Sequence, residues 1–412
     1  MFMLPLSRGV KAAGTIKELP EDFVVEEIAR NGAVLEVDRG CGPEQLGMAS
    51  NPGGGSAVFV MQKYGWNTLQ ALKAVAEGVG RGAGAVGFAG TKDRVSKSVQ
   101  LCSVFGADPD RLKALRIKDI RVNGAWRGEK VGMGELAGNR FTITVRELSG
   151  FDALAGAAAS TVTFPNYFGA QRFGSRGNNF EVGLDILKGS FEDAAMRFLT
   201  EIGNETNAEA MEARRRLAEQ RDFKEALGYF PKHLRYERSM IDYLSRFDGA
   251  YANALRRLPR SLLLMFVHSV EDRIFNMELE NMIHEGHTEP RRGDIVCRPD
   301  PVRFYDLSAR ERCTGDDCEG YIVGNILGHT TQSPTAFEKE EMERLGLSLG
   351  SFRVRGMSEL NCKGASRVMF APVRGMECAR SGENGARLRF SLPAGSYATV
   401  LLGELMETRR GG

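Results

Sequence analysis

Phe141-Thr142-Ile143-Thr144-Val145-Arg146 alternates apolar and polar side chains without interruption. A period of two is typical of a β-strand with one buried face. The alternation returns near the other end of the chain, in Ala386-Arg387-Leu388-Arg389-Phe390-Ser391-Leu392, and strand-like runs also occupy 22–28, 33–37 and 56–60. We therefore predict one sheet domain that is built from both ends of the chain.

The middle of the chain has a helical period instead. Apolar residues recur at three- and four-residue spacing in 180–202, 205–227 and 261–283. A helical segment between two groups of strands predicts an α+β protein in which a large, mainly helical unit is inserted into the sheet domain. A chain of 412 residues is long enough for two such units.

Composition excludes several classes of protein. The chain is 42% hydrophobic, but no window approaches the roughly 18 apolar residues of a membrane span. The N-terminal sequence lacks a signal-peptide pattern, so we predict a cytoplasmic protein without a membrane partner. The seven cysteines are scattered and predict reduced thiols. Cys313 and Cys318 have no second Cys or His pair to complete a zinc site, so no metal site is predicted.

The net charge of +2 conceals a basic window. Residues 213–260 contain twelve Lys or Arg against six Asp or Glu, an excess of about six positive charges, interleaved with seven Phe or Tyr. Such a window can contact RNA phosphates beside stacking rings. It is equally consistent with amphipathic helices whose rings face a core and whose arginines are solvated.

A glycine-rich segment, GAVGFAGTKDRVSKSVQ at 84–100, holds Asp93 between Lys92 and Arg94. Flanking positive charge favours the ionised carboxylate that a nucleophile or an electrostatic stabiliser needs. The alternative is a β-turn Asp that makes only local hydrogen bonds. A phosphate-binding loop is excluded, because Thr91 separates Gly90 from Lys92 and the residues that follow alternate like a strand rather than a helix.

Five segments together resemble the TruD-type tRNA pseudouridine synthases, in the archaeal-like form with a long insertion. They are Lys17 with Pro20 to Glu27, Gly87 to Arg94, Gly138 to Phe141, Asn166 to Gly174, and Leu392 to Thr399. The resemblance covers most of the chain. It implies a catalytic domain at 1–164 and 365–412 and an insertion domain at 165–364.

The resemblance also implies a reaction, the isomerisation of uridine 13 of tRNA to pseudouridine without cofactor or metal. No obligate protein partner is evident. The catalytic acid of the family falls on Asp93, which would either attack the nucleotide covalently or take a proton from C2′ in a glycal route, and both routes remain open. A non-catalytic RNA-binding or RNA-folding protein on the same scaffold is the alternative.

The other implied site residues bind the substrate or support the acid. Lys17 would hold the Asp93 carboxylate charged, Phe141 would stack on the uracil, and Asn139 would bind the edge of the base or hold the neighbouring loop. Lys92, Arg94 and Arg172 are expected at the substrate, with Arg172 facing the active-site cleft.

Overall fold

A computed structural model describes residues 12–48, 51–315 and 317–410. Its strands, numbered in chain order, are β1 Ala13–Ile16, β2 Phe23–Ile28, β3 Ser56–Tyr64, β4 Val86–Phe88, β5 Lys97–Phe105, β6 Ile120–Gly128, β7 Gly138–Ser149, β8 Thr163–Pro165, β9 Ile295–Asp300, β10 Phe304–Arg312, β11 Tyr321–Ile326, β12 Ala365–Val368, β13 Phe370–Pro372, β14 Arg374–Arg380, β15 Ala386–Pro393 and β16 Glu407–Arg410. The helices are α1 Thr68–Gly78, α2 Pro109–Ala114, α3 Phe151–Ser160, α4 Asn179–Lys188, α5 Phe191–Thr200, α6 Ala208–Gln220, α7 Phe223–Tyr229, α8 Arg235–Leu244, α9 Tyr251–Leu255, α10 Arg260–His284, α11 Ala336–Arg344 and α12 Ala398–Leu405.

The chain divides into two compact units. The helical unit comprises Tyr167–Glu289 and Val323–Met369, and the sheet unit contains the described residues up to 166, those of 290–322 and those from 370 onward. This division differs from the predicted domain boundaries in placing 165–166 and 290–322 with the sheet unit and 365–369 with the helical unit. The predicted α+β class, with a mixed sheet, is confirmed.

The sheet unit is built on a ten-stranded sheet whose main path runs β14-β15-β7-β2-β5-β3-β6. Most neighbours are antiparallel, whereas β2 with β5 and β1 with β16 are parallel. Strand β7 lies between β2 and β15 and pairs with both. Its buried Phe141, Ile143 and Val145 alternate with half-buried residues, as the sequence pattern predicts.

Local signals explain several elements of the sheet unit. Asn67 caps α1 by accepting a hydrogen bond from the Leu69 backbone N–H, as its side chain type favours. Gly87 has to lack a side chain, because a Cβ there would lie 2.4 Å from the Val131 carbonyl oxygen. The predicted strand at 33–37 is wrong, since Val34 forms only an isolated bridge to Ile28.

The helical unit packs its helices around one apolar core. Helix α10 contributes Phe266, Val267 and Val270 to this core, and its contacts with α4 are extensive. The predicted continuous helix at 180–202 is broken, because Gly189 adopts the left-handed conformation that ends α4. In the described ranges no helix is long and apolar enough to cross a membrane.

The basic window at 213–260 is only partly a charged surface. Arg214 is 1% exposed, pairs with Glu237 at 2.7 Å and donates to the backbone oxygens of Phe198 and Leu199. Arg214 therefore cannot bind RNA phosphates from this position, which corrects the sequence hypothesis for that residue. Its neighbour Arg215 is 53% exposed.

We expect Arg214→Ala to lower the free energy of unfolding by about 3–5 kcal/mol, because the change leaves the Glu237 carboxylate buried without its partner. Arg215→Ala is the matched control on the same helix and should change stability by at most about 0.5 kcal/mol. Urea denaturation of both variants measures the difference. Equal stability of the two variants would contradict the buried pairing of Arg214.

Candidate active site

Asp93 forms an ion pair with Lys17 in the sheet unit. The Lys17 Nζ lies 2.6 Å from Asp93 Oδ2, and the side chains are 11% and 35% exposed, respectively. Lys17 directly follows β1 and has φ of +61°, an unusual conformation for lysine. The two residues are far apart in sequence, so the tertiary fold has to bring this cation to the carboxylate.

A second lysine contacts the backbone of the same aspartate. The Lys63 Nζ donates to the Asp93 carbonyl oxygen at 2.7 Å, and the Ser96 hydroxyl donates to that oxygen at the same distance. Lys63 lies on β3 and has no exposed surface. Burial lowers its pKa to about 8, with the nearby Asp93 charge opposing this effect and Lys92 adding to it.

Lys63 was not among the site residues predicted from the sequence. Its signal was a lysine near the end of the otherwise mostly apolar strand 56–64, where a charged side chain needs a partner if the strand is buried. That partner is a backbone oxygen, which no residue pattern reveals.

Aromatic rings continue the site from Lys17. The Lys17 ammonium lies 4.2 Å from the centre of the Phe23 ring, a cation–π contact. The Phe23 ring meets Phe141 edge-on at 6.0 Å, and Phe141 stacks on Phe390 at 5.5 Å. Phe141 itself is 6% exposed. The structure thus joins Asp93, Lys17 and Phe141 through Phe23, which belongs to a segment of the resemblance.

Asn139 lies two residues before Phe141 on β7, opposite Glu27 of β2 and Leu392 of β15. Its side-chain Oδ1 is buried and has no hydrogen-bond partner among the described residues. A buried acceptor without a donor is costly in a folded protein, so such atoms commonly meet a water or a ligand.

The turn before β2 is fixed by a buried acid. Asp22 is 2% exposed, accepts a bidentate hydrogen bond from Arg146 of β7, and accepts the Leu19 backbone N–H at 2.9 Å. This arrangement anchors the Pro20-Glu21-Asp22 turn that separates Lys17 from Phe23. The Pro-Glu-Asp-Phe motif therefore orders the backbone on which both Lys17 and Phe23 depend.

The remaining predicted substrate-binding residues lie in different surroundings. Lys92 is buried and pairs with buried Glu27 at 2.7 Å, a geometry that does not favour its predicted contact with substrate. Arg94 is exposed beside Asp93. Arg172 belongs to the helical unit and pairs with Asp272 at 2.6 Å. The substrate contacts of Arg94 and Arg172, and the predicted orientation of Arg172 toward the cleft, remain predictions.

The arrangement around Asp93 suits chemistry on a flat, polar ligand. It combines a partly exposed carboxylate held by an ammonium with a stack of phenyl rings that is linked to it through Lys17 and Phe23. Asn139, on the same strand as Phe141, adds a buried amide oxygen that has no donor among the described residues. A carboxylate positioned in this way can act as a nucleophile or as a base.

Comparison with known proteins identifies the family. The family model for tRNA pseudouridine synthase D (TruD) matches residues 6–405. A Thermococcus sibiricus protein named probable tRNA pseudouridine synthase D is 32% identical, with 98% of this chain and 97% of that protein covered. The Methanopyrus kandleri protein of the same name is 34% identical over 86% of each chain.

A solved structure agrees with these relatives. The crystal structure of a Methanosarcina mazei protein, assigned to tRNA pseudouridine synthase D, has a TM-score of 0.73 and 28% identity, and covers 98% of this chain and 95% of its own. The predicted resemblance is confirmed, and the fold that carries Lys17 and Asp93 is shared along nearly its whole length. This chain belongs to the TruD family of tRNA pseudouridine synthases.

Proposed function

We propose that this protein converts uridine 13 of tRNA to pseudouridine and that Asp93 is the catalytic carboxylate. The observation that carries the proposal is the 2.6 Å contact between the Lys17 ammonium and the Asp93 carboxylate, which leaves 35% of the Asp93 side chain exposed. A carboxylate that is charged, oriented and accessible is what the reaction requires. Position 13 rests on the family resemblance.

The reaction is an isomerisation, so all atoms of uridine are retained. The C1′–N1 bond breaks, the base turns, and a C1′–C5 bond forms, after which C5 loses its proton and N1 gains one. Asp93 contributes by attacking the nucleotide covalently or by accepting the C2′ proton and later returning it. Lys17 stabilises the carboxylate charge in both routes.

Recognition of the base is assigned to Asn139 and the neighbouring rings. The Asn139 Oδ1, which has no partner in the described part of the chain, is an acceptor, and the N3–H of uracil is a donor of matching polarity. Cytosine has no hydrogen on N3, so the same acceptor would face an acceptor and disfavour cytosine. The Phe141 ring is held against Phe390 and offers an apolar wall for a base that has been extruded from the RNA.

Lys63 is proposed as a positioning residue. It does not reach the Asp93 carboxylate, but it holds the backbone oxygen of that residue from a fully buried site. Together with Ser96 it fixes the peptide from which the carboxylate projects. Small displacements of a catalytic group lower rates steeply, so this anchoring supports the chemistry.

The test uses an unmodified tRNA transcript and its U13C variant. We expect the protein to form one pseudouridine per transcript at position 13, detected by carbodiimide labelling and primer extension, and none in the U13C transcript. Product at another position would refute the assignment of U13 but retain the activity. Binding without any product would favour the non-catalytic RNA-binding alternative.

A further inference from the structure

Three side chains with metal-ligating chemistry meet in the helical unit. One ligand atom from each of His268, Glu271 and Cys362 lies within 4.8 Å of the other two. His268 and Glu271 are three residues apart on α10 and share one face of the helix, with His268 Nδ1 3.5 Å from Glu271 Oε2. Cys362 reaches them from the segment after the one-turn helix Ser358–Leu360.

The carboxylate in this cluster lacks sufficient partners. Glu271 is 2% exposed, and its Oε1 has no hydrogen-bond donor among the described residues. The Arg172 guanidinium, whose positive charge acts on Glu271, is itself paired with Asp272 at 2.6 Å. A buried carboxylate oxygen without a donor calls for an ion or a water at that place.

The two other groups are available as ligands. His268 is only partly covered, with a side chain that is 42% exposed, so an ion has a path from solvent. The Cys362 thiol is buried, contacts Glu271, and makes a 3.5 Å hydrogen bond to the Leu360 carbonyl oxygen. This weak bond is readily given up when a thiolate binds a metal.

We propose that His268, Glu271 and Cys362 bind a zinc-type divalent cation. Imidazole, thiolate and carboxylate together are zinc ligands, whereas Mg²⁺ and Ca²⁺ prefer oxygen alone. As the ion binds, the proton of the Cys362 S–H and the proton carried by the buried Glu271 carboxyl pass to solvent, and no electron is transferred. Ligand atoms around tetrahedral zinc lie about 3.5 Å apart, so the cluster has to contract modestly. Water completes the shell on the exposed side of His268.

The bound ion would connect α10 to the segment that contains Cys362, which packs on the apolar core of the helical unit. Phe352 and Leu360, on either side of the 353–359 loop, are buried in the same apolar cluster as Phe266 and Val270 of α10. Fixing Cys362 to α10 therefore restrains the end of this segment. No such site was predicted from the sequence, because Cys362 is distant in sequence from His268 and Glu271 and has no second Cys or His at a usual spacing beside it.

The test measures metal binding by the full chain. Cys313 and Cys318 interact with each other and form a competing thiol pair, so both are changed to Ser to give a common background. After chelation and dialysis under reducing conditions, this protein is titrated with Zn²⁺ by calorimetry and with Co²⁺ by absorption spectroscopy. We expect one Zn²⁺ per chain, a thiolate-to-cobalt charge-transfer band, and a melting temperature that rises with Zn²⁺.

Variants locate the site. Cys362→Ser should abolish the cobalt–thiolate band, and Cys362→Ser, Glu271→Gln and His268→Ala should each weaken Zn²⁺ binding at least about 100-fold. Cys378→Ser, a half-buried cysteine on β14, is the matched control and should bind like the background protein. His268→Ala changes a partly exposed residue and tests the site even if the buried variants unfold. A missing cobalt–thiolate band, or equal Zn²⁺ affinity in the His268→Ala and Cys378→Ser variants, would overturn the proposal.

Discussion

Replacing Asp93 by Asn is expected to lower kcat for pseudouridine formation by at least about 10³-fold, with tRNA affinity within about twofold of the wild-type value. The amide keeps the shape of the side chain and can still accept a hydrogen bond from Lys17, but it cannot act as a nucleophile or take a proton. Single-turnover assays on a tRNA transcript measure the rate, and filter binding measures the affinity.

The matched control for this change is Asp38→Asn. Asp38 also pairs with a lysine, Lys97, at 2.7 Å, and it lies in the same unit outside the proposed site. We expect the Asp38→Asn variant to retain its rate within about twofold. If the Asp93→Asn variant forms pseudouridine as fast as this control, Asp93 is not the catalytic carboxylate.

Replacing Lys63 by Met is expected to lower kcat by about 10- to 100-fold and to leave KM for tRNA nearly unchanged. Met has a similar shape but cannot donate to the Asp93 carbonyl oxygen, so that oxygen keeps only the hydrogen bond from Ser96 of the two described. Lys97→Met on the adjacent strand β5 is the control and should keep its activity. An unchanged kcat in the Lys63→Met variant would remove Lys63 from the site.

The lowered pKa of Lys63 makes the stability of the folded protein depend on pH. The pKa of Lys63 falls from 10.5 to about 8 on folding because of burial. Below pH 8 the Lys63 ammonium is charged in the folded and in the unfolded chain. The free energy of folding therefore includes the full penalty for burying this charge. Between pH 8 and 10.5 the unfolded chain binds more protons, so wild-type stability rises with pH. Relative to Lys63→Met, wild type should gain on the order of 3 kcal/mol across this range, measured by urea denaturation. A constant difference would show that Lys63 is not buried as a charge.

Parts of the fold that depend on local pattern could be predicted from sequence. The alternation in 141–146 and 386–392 predicts β7 and β15, and the type of side chain at Asn67 agrees with the start of α1 in the structure. Both signals act within a few residues and need no knowledge of the tertiary structure.

Other features depend on contacts between distant residues. From its charge, Arg214 was expected on a solvated helix face. In the structure its guanidinium is buried and donates hydrogen bonds to two backbone oxygens and to Glu237. Lys63 was missed because its partner is a backbone oxygen. The Lys17–Asp93 pair was predicted only from the family resemblance, because the sequence around each of the two residues does not specify the other.

The pairing of β1 with β16 affects how the enzyme is made. Strand β1, which leads into Lys17, is paired with residues 407–410 near the far end of the chain, and β7 needs β15 along its other edge. During synthesis β15 and β16 leave the ribosome only after β1 and β7. The nascent chain therefore cannot complete the support of Lys17 until residues 407–410 have left the ribosome. A chain synthesised only as far as β14 would present an open edge of β7 to other nascent chains.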